Sequence, residues 1–98
     1  MRTIDIITAA GPGSDQYLAE LAASLHGLNP VEGWTWNWLV VADGTDPKEN
    51  LARAHLASQL GAARVWSNHT RYWAGPSRNR ALANASGDSV VTLSLIHI

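Results

Sequence analysis

The chain has 98 residues, of which 46% are hydrophobic and 15% are charged, and its formal net charge at pH 7 is −1. This length allows one small domain, and the near-neutral charge gives no electrostatic basis for binding nucleic acid or an anionic membrane surface. The absence of cysteine excludes disulfides and thiolate metal sites and is compatible with the cytoplasm, where we expect the protein to act. The early Asp5 argues against a signal peptide, and no apolar run approaches the roughly 20 residues that span a bilayer.

The first predicted elements are a strand and a helix. Residues 4–8 form a β-branched run, and the Gly-Pro-Gly sequence at 11–13 breaks it. Ser14 or Asp15 can cap the helix that follows, and Gly27 closes it. Four apolar residues of this helix have the i, i+3, i+4, i+7 spacing of a single buried stripe: Leu18, Leu21, Ala22 and Leu25.

The second predicted strand lies in the sequence "WTWNWLVVADG". Trp34, Trp36 and Trp38 alternate with polar residues, and the strand then continues as an uninterrupted apolar run over residues 39–41. This change predicts a strand that passes from a half-exposed edge into a sheet covered on both faces.

The second predicted helix has a well-formed start. Asp46 is placed to be the N-cap, Pro47 occupies the first helical position, and Glu49 follows three residues after the cap. Gly61 is expected to end the helix. We expect three of its residues to point inward: Ala52, Leu56 and Leu60.

The remaining elements complete an alternating order of strands and helices. Residues 64–67 form a third strand, a polar loop spans 68–75, and a helix starts near Pro76 and is capped by Gly87. Residues 90–93 form the fourth strand, and the expected inner face of the preceding helix consists of Ala81, Leu82 and Ala85. The order β-α-β-α-β-α-β predicts an α/β fold with a mostly parallel four-stranded sheet.

Ligands of such folds bind beyond the carboxyl ends of the strands. That rule predicts that a ligand site would be formed by residues 8–10, residues 43–45, the 68–75 loop and the residues that follow Leu93. Asp43 is the most informative of these residues, because a carboxylate directly after a buried strand can accept hydrogen bonds from a ribose or a base. The alternative is that the Asp-Gly pair only forms a turn.

Phosphate binding would have to use side chains or a metal, because the chain contains neither a G-x-G-x-x-G nor a P-loop motif. Arg78 and Arg80 lie in the first turn of the third helix, and Arg71 lies in the loop before it. Guanidinium groups beside a helix N-terminus can hold phosphate through two parallel hydrogen bonds. The alternative for each arginine is a solvated charged surface.

The histidines and the loop aromatics give weaker signals. The four histidines show no metal-ligand spacing, and the spacing supports no Ser-His-Asp triad. Trp73, beside Tyr72, can stack on a base or cover the core, and we expect it to cover the core. The histidines are His26, His55, His69 and His97.

Three stretches together resemble the N-terminal half of a family 2 nucleotide-sugar glycosyltransferase of the GT-A fold. "IDIITAA" (4–10) resembles the strand that ends under the nucleotide, and "WLVVADGTDP" (38–47) resembles the strand that ends in Asp-Asp-Gly-Ser. "GPSRNRALANASGDSVVTL" (75–93) is similar to the Gly-x-x-x-Arg-Asn helix, its Gly-acid turn and the next strand. The resemblance implies sheet order 3-2-1-4 and covers nearly the whole chain, but only part of a family domain.

The resemblance also implies site residues. Asp43, with Gly44, would bind the uracil or ribose end of a UDP-sugar, and Arg78 and Asn79 match the Arg-Asn pair near the pyrophosphate. The chain departs from the family at Ala42, where an Asp is usual, and near Ala10, where an aromatic residue often stacks on the base. The residues expected to line the nucleotide pocket are Thr8, Ala9 and Ala10.

The largest departure follows the fourth strand. The family places there an Asp-x-Asp motif that holds Mg²⁺ or Mn²⁺ against the donor diphosphate, whereas this chain has Ser94, Leu95 and Ile96. The acidic residue that serves the family as catalytic base is also missing. We therefore expect a metal-dependent, inverting parent enzyme, and no transferase activity from these 98 residues alone.

The last residues have a possible non-biological origin. Residues 93–98 correspond to the codons CTG-TCT-CTT-ATA-CAC-ATC, which resemble a transposase adapter used in sequencing libraries. We expect residues 1–93 to be the nucleotide-sugar-binding part of a glycosyltransferase and residues 94–98 to be a non-native tail. A natural strand is the alternative, since these residues have acceptable β-propensity.

The functional prediction is a piece of a glycosyltransferase that binds a nucleotide-diphospho-sugar, with no nucleic-acid partner and no membrane segment of its own. The parent could be associated with a membrane. Two other functions stay open: a non-catalytic nucleotide-binding or interaction module, and a doubly wound domain that binds another small anion.

Overall fold

The computed structural model describes residues 2–28 and 32–95, which form seven elements in alternating order. The four strands and three helices follow one another as the sequence predicted. They are β1 (Arg2–Ala10), α1 (Asp15–His26), β2 (Trp34–Ala42), α2 (Pro47–Gln59), β3 (Arg64–Ser67), α3 (Ala74–Leu82) and β4 (Ser89–Leu95).

The four strands form one parallel sheet in the order β3-β2-β1-β4. This confirms the predicted α/β fold and its strand order, and the arrangement is Rossmann-like. The pairing aligns Ala10 with Ala42, and Ala42 with Ser67, so that three strands finish at the same level. Within the described ranges, no helix is long and apolar enough to cross a membrane.

Both faces of the two central strands are covered, as the continuous apolar run in β2 predicted, whereas Val90, Val91 and Leu93 of β4 are exposed. On one face Ile6, Trp38 and Val40 pack with Leu18 of α1 and Ala57 of α2. On the other face three strand residues, Ile7, Leu39 and Val41, pack against Ala81 of α3. Successive strand residues point to opposite faces, and this alternation divides the core into two clusters.

The predicted inner face of α2 is only partly right. Leu60 is partly buried and packs against the larger core cluster, but Ala52 is exposed and Leu56 is only partly buried. The buried residues of α2 have the same i, i+3, i+4, i+7 spacing, but two of them are polar: Asn50, Arg53, Ala54 and Ala57. The N-cap is as predicted, because the Asp46 side chain accepts a hydrogen bond from the backbone N–H of Lys48 at 2.9 Å.

The predicted inner face and end of α3 are also partly wrong. Ala81 is buried and Ala85 partly buried, but Leu82 is 48% exposed. The helix ends at Leu82, and Ala83 is its C-cap in place of Gly87. Gly87 instead begins the turn into β4, where a Cβ atom would stand 2.9 Å from the carbonyl oxygen of Thr3. That turn therefore requires glycine for close backbone approach.

β4 extends further than the predicted residues 90–93. The strand includes Ser94 and Leu95, whose backbones pair with Ala9 and Ala10. The other residues of the expected non-native tail, 96–98, lie outside the described residues. Whether residues 94–98 are native stays a prediction for re-sequencing of the source locus to test.

The side chain of Trp38 in β2 makes a buried hydrogen bond to β1. Its Nε1 donates to the hydroxyl oxygen of Thr8 at 3.0 Å, and neither residue has exposed surface. Trp38→Phe should lower the free energy of unfolding by about 2 kcal/mol, because it removes packed ring atoms and leaves a buried acceptor unpaired. Urea unfolding measures this, with the partly buried Trp34→Phe as the control. Equal losses in the two variants would contradict the prediction.

Candidate functional site

The register of the sheet builds one edge from three adjacent strands. The backbone N–H of Asp43 donates to the carbonyl of Ala10 at 2.8 Å, and that of Asn68 donates to the carbonyl of Ala42 at 2.9 Å. Asp43 and Asn68 therefore follow β2 and β3 side by side. This edge is where parallel α/β folds bind ligands.

Asp43 is the centre of this edge and has no exposed surface. Its Oδ1 accepts hydrogen bonds from the Asn68 side chain at 2.9 Å and from the backbone N–H of Tyr72 at 2.6 Å. Its Oδ2 is also buried, and no hydrogen-bond partner for it lies among the described residues. Both partners of Oδ1 belong to the loop after β3, so the carboxylate joins two loops and does more than shape its own Asp-Gly turn.

Asn68 links Asp43 to α3. The Asn68 Nδ2 group also donates to the buried hydroxyl of Ser77 at 2.9 Å, and its Oδ1 accepts from Arg80 Nη1 at 2.8 Å. Arg80 reaches the backbone carbonyl of Ser67 as well, at 3.3 Å. The guanidinium of Arg80, which the sequence offered as a phosphate ligand, is thus used to hold the protein's own carbonyl groups.

A second buried asparagine, Asn50, fixes the loop that carries Gly44. Asn50 Oδ1 accepts from the Gly44 N–H at 2.6 Å, and its Nδ2 donates to the Gly44 carbonyl at 2.8 Å and to the Asn68 carbonyl at 2.9 Å. Arg53 donates to Asn50 at 3.3 Å and forms an ion pair with Asp15 at 2.8 Å. Asn50 therefore fixes the backbone at Gly44, next to Asp43, and at Asn68 in the neighbouring loop, while Arg53 joins Asn50 to α1.

The remaining predicted site residues lie at different depths. Thr8, Ala9 and Ala10 have no exposed surface, and the Thr8 hydroxyl is already bonded to Trp38. On α3, Arg78 is partly buried and Asn79 is exposed. The structure brings Asp43 and Gly44 together at the edge, while Thr8 and Ala9 lie beneath it within the sheet.

The loop after β3, residues 68–73, presents aromatic side chains outward. Tyr72 is 46% exposed and Trp73 is 59% exposed, so the prediction that Trp73 covers the core is wrong. The guanidinium carbon of Arg71 lies 3.7 Å from the centre of the Trp73 ring. Trp73 also has a φ of 69°, which is sterically unfavourable for a bulky residue.

A cavity of about 140 Å³ adjoins this edge. It is lined by Pro47, Leu51, Ser67, Asn68 and His69. In the described part of the chain, no group of three or more His, Cys, Asp or Glu side chains is placed to hold a metal ion. The described residues therefore do not fit the Mg²⁺ or Mn²⁺ expected for a longer parent, and we derive no step through a metal.

The fold and this edge define a Rossmann-like α/β protein with a polar cluster at the carboxyl ends of its strands. No protein-family model matches the sequence, and a search of curated proteins finds no match to it.

The sequence did not single out three residues on which this cluster depends. Asn68 was included only as part of a polar loop, and Asn50 and Ser77 were assigned no role. Asn50 has the spacing of a buried helix position, four residues before Ala54 and seven before Ala57. A search for hydrophobic periodicity does not detect a polar residue in a buried stripe.

Proposed function

We propose that this chain binds the nucleotide of a nucleotide-diphospho-sugar, with UDP as its recognised part, and is the donor-binding part of a family 2 glycosyltransferase of the GT-A fold. The proposal is supported by the resemblance of three stretches (4–10, 38–47 and 75–93) to that family. In the structure, the strands within the first two stretches end side by side at the carboxyl edge of the sheet, where Ala10 pairs with Ala42.

The observation that carries the proposal is the free hydrogen-bonding capacity of Asp43. A buried polar atom normally has a partner, so the partnerless Oδ2 suggests a donor group that a ligand would supply. The imide N–H of uracil and the hydroxyls of ribose are such donors. Because Asp43 is fully buried, the 68–73 loop would have to move aside for a ligand to reach it.

The other residues would then have positioning roles. Asn68 and the Tyr72 N–H hold one carboxylate oxygen of Asp43 and leave the other for the ligand. By the resemblance, Arg78 and Asn79 would approach the pyrophosphate from α3. A complete parent would transfer the sugar to an acceptor hydroxyl, and the role of this chain would be to hold the leaving nucleotide.

Asp43→Asn tests the proposal with little change in shape. The amide oxygen can still accept from Asn68 and Tyr72, but the amide NH₂ group replaces Oδ2 and faces the ligand with a donor. We expect UDP affinity, measured by calorimetry, to fall by about ten- to a hundredfold, as for loss of a hydrogen bond to a charged group.

The control is Glu20→Gln, which removes one carboxylate from the exposed surface of α1. This variant should bind UDP as the original chain does. Failure of the original chain to bind UDP, or equal affinity of Asp43→Asn and the original, would refute the nucleotide assignment.

A further inference from the structure

Arg71 has an unused hydrogen-bonding edge. Its Nε and Nη2 atoms are buried, and neither has a hydrogen-bond partner among the described residues. These two nitrogens lie on the same side of the planar guanidinium and direct two N–H groups in parallel, the geometry that matches two oxygens of one phosphate or carboxylate. Two adjacent buried donors without an acceptor indicate a missing anionic group.

The plane of this guanidinium is fixed by Trp73. The guanidinium carbon of Arg71 lies 3.7 Å from the centre of the indole ring, and a contact of this kind uses none of the N–H hydrogen bonds. Because Nε and Nη2 are buried, the 68–73 loop would have to move for an anion to reach them. Trp73 has a positive φ of 69° with a ψ of 176°, a backbone conformation that is strained for a bulky residue. Strain of this kind is often found at ligand sites, where the surrounding structure holds a side chain in a required position.

The start of α3 adds favourable electrostatics next to Arg71. Trp73 occupies the N-cap and makes no side-chain capping bond, and the first turn of α3 contains no acidic residue. The positive end of the helix dipole is therefore not offset by a carboxylate of its own first turn. An anion near Arg71 would interact with both the guanidinium and this helix end.

We infer that Arg71 binds a phosphoryl group through its Nε–Nη2 edge, with Trp73 as the supporting platform. The inference stands on Arg71 itself and extends beyond the nucleotide assignment, which depends on Asp43. The phosphoryl group can belong to a nucleotide diphosphate or to a free phosphate, since both present two oxygens to the guanidinium.

The test titrates the chain with inorganic pyrophosphate, UDP, uridine and acetate at low salt, with calorimetry and the ¹⁵Nε–¹Hε NMR signal of Arg71 as readouts. Pyrophosphate should move the Arg71 signal, and Arg71→Lys, which keeps the charge but loses the fork, should weaken pyrophosphate binding about tenfold. The matched control is Arg2→Lys, since Arg2 also lies over a tryptophan ring but at the opposite end of the sheet. It should bind pyrophosphate as the original chain does.

The choice of ligands distinguishes the two possible sources of the phosphoryl group. It also distinguishes the Arg71 inference from the nucleotide proposal, which depends on Asp43. UDP binding much more tightly than pyrophosphate would assign the site to a nucleotide diphosphate, and equal affinities would assign it to free phosphate. The affinity for uridine, which has no phosphate, should depend on Asp43 and not on Arg71. A failure of uridine to bind would therefore count against the nucleotide assignment alone.

Four results would overturn the inference. Three concern the ligands: an Arg71 signal that does not respond to pyrophosphate, unchanged pyrophosphate affinity in Arg71→Lys, and preferential binding of acetate. The fourth is a shift of the Arg71 signal in ligand-free Asp43→Asn to its saturated position, which would show that Arg71 pairs with Asp43 within the protein.

Discussion

Asn50→Ala is expected to lower the free energy of unfolding by about 4 kcal/mol, because the buried Asn50 amide satisfies three backbone groups at once. The variant leaves the N–H and carbonyl of Gly44 and the carbonyl of Asn68 without their partner. For a domain of this size the loss would be a large part of the total stability. Urea unfolding monitored by tryptophan fluorescence measures it.

Two further variants make this prediction specific. Gln59→Ala, at an exposed position of the same helix, should change the stability by less than about 0.5 kcal/mol. Asn50→Asp retains the oxygen that faces Gly44 N–H but places a second oxygen against two carbonyls, so it should be at least as unstable as Asn50→Ala. An Asn50→Asp variant as stable as the original chain would contradict the assigned hydrogen bonds.

Asp5→Ala is expected to lower the free energy of unfolding by about 3 kcal/mol, because the Asp5 side chain holds the turn between α3 and β4 from inside the sheet. The carboxylate is 1% exposed, and its Oδ2 accepts from the N–H groups of Ser86 at 2.9 Å and Gly87 at 2.6 Å. Removing it leaves both donors unpaired and opens a gap beside β1. The same unfolding measurement applies.

A second variant separates the contribution of the Asp5 charge to stability from that of its hydrogen-bond acceptor. Both hydrogen bonds reach the same oxygen, so Asp5→Asn can keep them and should lose less than half as much stability as Asp5→Ala. Asp88→Ala is the positional control, since the exposed Asp88 carboxylate also joins β1 to this turn, through the N–H of Thr3 at 2.8 Å. A loss of about 1 kcal/mol or less is expected there. If Asp5→Ala were no worse than Asp88→Ala, the buried carboxylate would not hold the turn.

The elements with strong local signals were predicted closely. The four residues of β3 and the cap and first residue of α2 agree with the structure, since β-branched runs, Asp-Pro starts and glycine breaks act within a few residues. The stripe of α1 is also confirmed, with Leu18, Ala22 and Leu25 buried. The alternation of short strands and helices then favoured a parallel sheet.

The errors in α2 and Trp73 have a common cause. In α2 the buried face includes Asn50 and Arg53, whose burial depends on partners outside the helix, Gly44, Asn68 and Asp15. Trp73 is exposed because the 68–73 loop is attached to Asp43 through Tyr72, which no local pattern indicates. Burial of a polar group is favourable only when such partners are in place.

The sequence by itself determined the order of the elements and the parallel sheet, because hydrophobic periodicity and breaker residues are local properties of the chain. It also predicted the strand ends that form the proposed ligand site. Only the tertiary structure decided how that edge is built. The register places Asp43 beside Asn68, and the packing of α2 and α3 brings Asn50 and Ser77 to them. The tertiary structure also showed which buried atoms of Asp43 and Arg71 have no partner among residues 2–28 and 32–95, since hydrogen-bond satisfaction depends on positions in space and not on neighbours in the chain.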